Sequence, residues 1–211
     1  MFGPRVYFPH QHEFFADITT LFVNLASFNA AVESFWTSST KIPQDRDHTL
    51  NLYGKVAHVS FPIHDLMHLV VRNRWPAELK LTLHPSTLSA PSQSNSVTLQ
   101  SDAIVNMVTQ LVGAMFLKYY ERNSHRAKKA FGTTPRTWPE TWRLAWLLRN
   151  AIAHGDKWAI DDKTFPETVW HSSRITTADS GQPWYDPKTF LGGGDVILLM
   201  EEMNTLITPS R

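Results

Sequence analysis

Three side chains that could handle a phosphate group lie on one side of a predicted helix. At 100° per residue, Arg149, Asn150 and His154 fall within about 140° of one another. An imidazole titrates near neutral pH and can transfer a proton, and a guanidinium presents a planar fork that matches phosphate oxygens. The opposite side of the helix is apolar and consists of Leu144, Leu148, Ala151 and Ile152. These residue types favour acid–base chemistry at a phosphate.

Both sides of this helix are expected to be covered, because Trp142 and Trp146 fall on the polar side. The second cover is predicted to be another copy of the chain. A structural interpretation stays open beside the chemical one. Arg149 and His154 near the end of a helix also suit the negative end of its dipole, and Asn150 can satisfy neighbouring backbone groups.

The helix that must position these residues is predicted over residues 137–154. Thr137 and Glu140 stand at capping-box spacing at its start. Gly155 follows its end, where a left-handed residue is expected.

Apolar residues at helical spacing predict further helices over residues 13–36 and 102–130. Another helix is expected to begin near Asp47, to break after Val59 because of Pro62, and to resume over residues 63–74. A last helix, VILLMEEMNTLI, is expected to be capped by Asp195.

The sequences between these helices indicate little regular structure. LKLTL, within a loop at residues 77–100, has the pattern of a short strand, and a hairpin insertion is expected over residues 165–190. Within that insertion, residues 169–176 should pair across the turn ADSG with residues 182–185. The predicted fold class is all-α, with residues 1–211 forming one domain, a bundle of five or six helices with this small hairpin before the last one.

Composition excludes several classes of protein. The chain of 211 residues has no Cys, which rules out thiolate metal sites and Cys nucleophiles, and its net charge of +1 rules out a strongly basic nucleic-acid coat. Its apolar runs are far shorter than the roughly 18 residues of a membrane helix, and the N-terminus has no apolar signal-peptide core. We therefore expect a cytoplasmic protein without a membrane partner.

Two further groups could bind a ligand. His64 and His68 stand one turn apart and could share a metal with His58 or Asp47, although a buried or interface His pair is the preferred interpretation, so no metal is predicted. A basic stretch before the motif helix could hold an RNA backbone or form a solvated helix end. Its residues are Arg122, Arg126, Lys128 and Lys129, with Arg136 beyond the turn.

The run RNAIAHG from Arg149 to Gly155 resembles the Arg-x4-His motif of HEPN domains. It includes the polar residue that often follows their Arg, and the AHG ending is similar too. The position of the motif near the end of a late helix also resembles that family. So does the stretch TVWHSSRITTADSGQPWY before GDVILLMEEM, because some members insert a hairpin before a final helix. The resemblance covers roughly residues 101–206.

The resemblance implies a helical domain that forms a homodimer, so that two motifs share one cleft. It implies a metal-independent endoribonuclease of toxin–antitoxin, abortive-infection or CRISPR-linked defence systems, needing no cofactor. His154 would be the general acid or base, Arg149 would hold the phosphate, and Asn150 would orient one of them. RNA would supply its own nucleophile, the 2′-OH. The alternative is a non-catalytic HEPN-like module that binds RNA or a protein.

Possible further partners are an antitoxin or a nucleotidyltransferase. Some HEPN toxins carry a Tyr two residues after the His, which a nucleotidyltransferase modifies. This sequence has Asp156 at that position.

Overall fold

The computed structural model describes residues 5–9, 11–37, 49–57, 59–62, 78–82, 102–187 and 189–207. The described residues are mostly helical, as predicted, with four α-helices and a two-stranded antiparallel hairpin before the last helix. They contain fewer helices than the five or six expected, and of their four strands before residue 83 three were not predicted. They fall into two compact units, Met1–Leu52 with Val59–His84, and Tyr53–His58 with Pro85–Arg211.

The first unit holds the predicted N-terminal helix, α1 (Phe15–Thr37). Strand β1 (Arg5–Pro9) pairs antiparallel with β4 (Glu78–Thr82), with Arg5 opposite Thr82. The short strand expected in LKLTL is therefore confirmed. The apolar residues of α1 recur at three- and four-residue spacing, and burial of this stripe stabilises the helix. Its buried members include Ile18, Leu21, Phe22 and Leu25.

The prediction of a helix that begins near Asp47 is wrong, because residues 49–52 and 59–62 form strands. Strand β2 (Thr49–Leu52) pairs antiparallel with β3 (Val59–Pro62), and the partners Leu50↔Phe61 and Leu52↔Val59 match apolar with apolar residues. These short segments alternate between apolar and polar residues, which is the strand period of two. Pro62 ends β3, a position where its missing N–H is tolerated. The helix predicted over residues 63–74 and the loop at 83–100 lie outside the described residues.

The second unit contains α2 (Asp102–Phe131), α3 (Glu140–Ala153) and α4 (Gly193–Ile207). A single 3-10 turn, Pro135–Thr137, lies between α2 and α3. The two helices pack against each other as a hairpin. Near the turn, Trp138 Nε1 donates to Gly132 O at 2.8 Å, and at the far end a Cβ added to Gly113 would lie 3.4 Å from Ile152.

The start of α3 differs from the prediction. Thr137 lies in the 3-10 turn and donates its hydroxyl proton to Thr134 O, so it forms no capping box with Glu140. The helix begins after Pro139 because proline has no N–H for an interior position.

Tryptophan packing builds the core of the second unit. Trp142 is fully buried, and its Nε1 donates to Met203 O of α4 at 3.1 Å. Its ring lies 5.9 Å from that of Tyr120 on α2, so one side chain ties three helices together. Trp142 therefore belongs to the core, although it was expected on the polar side with Trp146. The other tryptophans buried here are Trp138, Trp158, Trp170 and Trp184.

The predicted hairpin is present but tighter than expected. Strand β5 (Thr168–Trp170) pairs antiparallel with β6 (Ser173–Ile175), so the expected pairing of residues 169–176 with 182–185 is wrong. The chain reverses at His171, whose φ is +50°, and a capping box between Thr176 and Asp179 starts a 3-10 turn beyond β6. Strand β6 therefore ends at Ile175, immediately before this capped turn.

Asp195 does not cap α4 from outside, because the helix begins two residues earlier, at Gly193. Its buried carboxylate accepts four backbone N–H bonds, from Lys55 (2.6 Å), Val56 (2.7 Å), Ala57 (2.7 Å) and Gly192 (2.9 Å). Burial raises the pKa of Asp195, and the four N–H donors partly offset this. The carboxylate thus fastens the segment 53–57 to the start of α4.

Within the part of the chain described, none of the helices is both long and apolar enough to cross a membrane.

Candidate functional site

The C-terminal end of α3 positions the predicted site. His154 is the C-cap residue, and its N–H donates to Asn150 O (3.0 Å) and Ala151 O (3.2 Å), while its side chain is exposed. Trp146, Asn150 and His154 follow one another at intervals of four, so they lie along one side of the helix.

Two consecutive left-handed residues turn the chain back after His154. Gly155 has a φ of +82°, as predicted for the residue after the helix, and Asp156 has a φ of +63°. The Asp156 carboxylate accepts bonds from Gln110 Nε2 (2.7 Å) and Trp184 Nε1 (2.9 Å). These two bonds hold an unfavourable backbone conformation in place. Asp156 therefore has a structural role in this turn.

The returning chain forms the second wall of a cleft beside His154. The cleft has a volume of about 240 Å³. Its first wall is the side of α3 that carries Trp146, and its second wall is the segment 159–165. The lining residues are Trp146, Asn150, His154, Ala159, Ile160, Asp161, Asp162 and Phe165.

An aromatic pair joins the two walls. The rings of Trp146 and Phe165 stack with centroids 5.3 Å apart and planes 14° apart. Arg136 lies 6.0 Å from the centroid of the Phe165 ring and forms an ion pair with Asp162. Asp162 also accepts bonds from the N–H and the hydroxyl of Thr164. The side of α3 that was expected to need a second protomer is thus partly covered by its own chain at Trp146.

Arg149 lies next to the cleft rather than in its lining. Its Nε donates to Glu121 Oε1 on α2 at 3.0 Å, and its Nη1 donates to Asn150 Oδ1 at 3.4 Å. The structure therefore brings Asn150 and His154 into one cleft and connects Arg149 to it through Asn150.

Tyr120 lies close to this ion pair. Burial, followed by the negative charge of Glu121, raises the pKa of Tyr120 to about 12, and the positive charge of Arg149 acts in the opposite direction. At neutral pH the phenol stays protonated and adds no charge near Arg149.

The predicted RNA-contact residues lie on α2 and do not line the cleft. Arg122, Lys128 and Lys129 are exposed. Arg126 is half-buried and donates to Asn123 Oδ1 (2.9 Å) and to Ile207 O at the end of α4 (3.4 Å). Its guanidinium therefore has a structural role in addition to the one predicted.

The alternative metal site lies outside the described residues, because His58, His64, His68 and Asp47 all fall there. Among the residues that the structure describes, no group of three His, Asp or Glu side chains could hold a metal ion.

The motif did not reveal several residues around the site. Glu121 had a weak signal, since it is the acidic residue within the basic stretch KYYERNSHRAKK. No sequence pattern indicated that Asp161 and Phe165 would line the cleft. Their segment shows no periodicity, and its position depends on the turn at Asp156.

Comparisons of the chain with protein-family models, curated proteins and solved structures gave no match.

Proposed function

We propose that the chain is a HEPN-type endoribonuclease that cuts RNA without a metal ion. The observation that carries the proposal is the cleft that Asn150 and His154 line together, with Arg149 hydrogen-bonded to Asn150. The proposal includes a bundle of five or six helices and a cytoplasmic role as a toxin or as a defence or abortive-infection effector.

In the proposed reaction, the RNA 2′-OH attacks the neighbouring phosphorus. His154 takes the proton from the 2′-oxygen as the new P–O bond forms. The bond to the 5′-oxygen breaks, and this oxygen receives a proton from a general acid. Arg149 stabilises the negative charge that develops on the phosphate, and Asn150 holds the guanidinium in place. A homodimer would supply a second His154, so that separate imidazoles act as base and acid.

The test is cleavage of mixed RNA in EDTA by the native protein, His154→Asn and His171→Asn. His171 is the matched control, because it pairs with Glu202 at 2.7 Å outside the cleft and Asn tolerates its left-handed backbone. We expect His154→Asn to lose at least about 100-fold in rate, as removal of a general acid–base group does. The control should stay within about threefold of native. Equal rates for His154→Asn and the native protein would refute the proposal.

A non-catalytic module is the second candidate, and the Glu121 contact favours it. A carboxylate on Arg149 Nε occupies one edge of the guanidinium that would otherwise face a phosphate. In that case the His154 side of α3 would bind RNA or a protein partner, and RNA would not be cleaved. RNA binding in a filter assay, without cleavage by any variant, would select this candidate.

A further inference from the structure

The cleft beside His154 has the size and wall chemistry of a site for a flat aromatic ring. Its volume of about 240 Å³ would admit one nucleobase. Trp146 is stacked on Phe165 but only half-buried, so part of its indole is accessible from the cleft. Ala159 and Ile160 add apolar surface between the two walls. Aromatic side chains in such a position are general platforms for unstacked RNA bases.

The two carboxylates that line the cleft differ in their hydrogen bonding. Asp162 forms an ion pair with Arg136 and accepts hydrogen bonds from Thr164. Asp161 is exposed, and no described residue donates a hydrogen bond to it. An ionised carboxylate is an acceptor at both oxygens, so Asp161 can take two parallel donors from a ligand.

Asn150 supplies the complementary donor. Its Oδ1 accepts the bond from Arg149, which leaves Nδ2 as its donor. Asn150 and Asp161 line the same cleft. A donor and a bidentate acceptor are together what the Watson–Crick edge of guanine requires, because it presents O6 as acceptor with N1–H and N2–H as donors. Adenine and uracil each offer only one donor group on that edge, so neither can satisfy both carboxylate oxygens.

We infer that this cleft is a guanine-binding subsite, in which Asp161 accepts N1–H and N2–H and Asn150 donates to O6. The inference rests on the proposed function in one respect, namely that the bound base belongs to an RNA substrate. Since His154 lines the same cleft, the ribose of the bound guanosine would present its 2′-OH there. Cleavage is then directed to the phosphodiester that follows a guanosine.

Binding of mononucleotides to the intact protein tests this inference without any cleavage. Titration calorimetry would compare guanosine, inosine and adenosine 5′-monophosphates, because inosine lacks only the N2 amine. We expect guanosine monophosphate to bind at least about tenfold more tightly than the other two, since each loses a hydrogen bond to a charged acceptor.

The Asp161→Asn variant should lose this preference, because its amide places a donor against the base donors. Glu167→Gln is the control, as Glu167 is an exposed carboxylate paired with Arg174 outside the cleft, and it should bind like the native protein. Equal affinities for the three nucleotides, no binding, or a guanine preference that persists in Asp161→Asn would each overturn the inference.

The outcomes separate the inference from the proposed function. Guanine-selective binding without RNA cleavage would support the subsite and refute the nuclease. Cleavage that depends on His154 but ignores guanosine would support the nuclease and refute the subsite.

Discussion

Arg149 is held by two side chains of its own chain, and this gives Glu121 a measurable role. Glu121 engages Nε and Asn150 engages Nη1, so the arginine is fixed before any phosphate arrives. Nη2 makes no hydrogen bond to the described residues and is left for a phosphate oxygen. Preorganised charge of this kind lowers the cost of stabilising a transition state. Glu121 is therefore a positioning residue in the proposed nuclease.

Two substitutions of Glu121 should have different effects on cleavage. Glu121→Gln keeps an oxygen that accepts from Arg149 Nε, and its rate should stay within about threefold of native. Glu121→Ala frees the guanidinium and should lower kcat about tenfold, with a smaller change in KM. Rates at saturating RNA measure this difference. An alanine variant faster than native would instead identify the ion pair as inhibitory.

Tyr120 provides a pH-dependent prediction for the fold. An unfolded tyrosine ionises near pH 10, whereas the pKa of Tyr120 in the folded chain is about 12. The folded state therefore keeps its proton longer, and the free energy of unfolding should fall as pH rises from 10 to 12. The total loss is about 3 kcal/mol. Urea titrations of native protein and Tyr120→Phe should differ in this slope, and parallel curves would contradict the assignment.

At the scale of elements, the turn after α3 decides where the second wall of the cleft lies. The wall depends on the left-handed Gly155 and on the bonds of Asp156 to Gln110 and Trp184. A Cβ at Gly155 would meet no atom within 4 Å, so a side chain there costs backbone strain and no steric clash.

Gly155→Ala should therefore lower the free energy of unfolding by about 1 kcal/mol. Gly155→Asn should cost less, because Asn adopts left-handed backbone more readily than Ala. Thermal or urea unfolding of both variants checks this order. Equal stability of Ala and Gly at this position would show that the turn has another conformation.

A second contact between separate elements joins Asp195 at the start of α4 to the segment 53–57. Asp195→Ala leaves four backbone N–H groups without their acceptor and should lower the free energy of unfolding by about 3 kcal/mol or more. Asp195→Asn keeps one oxygen and should cost less than the alanine variant. Urea unfolding gives both values, and an alanine variant as stable as native would show that the N–H groups find other partners.

Sequence periodicity predicted the long elements and only some of the short ones, such as the strand in LKLTL. The helices α1, α2 and α3 have apolar residues at helical spacing over several turns, and each was predicted within a few residues. Strands β2 and β3 have four residues each, too few for a period of two to outweigh a helical interpretation.

The motif predicted part of the site. It placed Asn150 and His154 on one side of α3, but local pattern does not encode the wall at 159–165. That wall is fixed by tertiary bonds of Asp156, which no sequence period reveals.

At the scale of the whole molecule, the proposed reaction needs an acid and a base from two copies of His154. Sedimentation equilibrium should therefore give twice the chain mass of 24.1 kDa at the concentrations where RNA is cut. A protein that is active as a monomer would require the second proton-transfer group to come from the same chain.

The use of the RNA 2′-OH as nucleophile can be measured with one RNA in two forms, after its cut site has been mapped. The first form is all-ribose, and the second has a single 2′-deoxy nucleotide at the attacking position. In EDTA, native protein should cut the first and leave a 2′,3′-cyclic phosphate, and it should leave the second intact at that site. Cleavage of both forms at the same rate would contradict a reaction that uses the RNA 2′-OH beside His154.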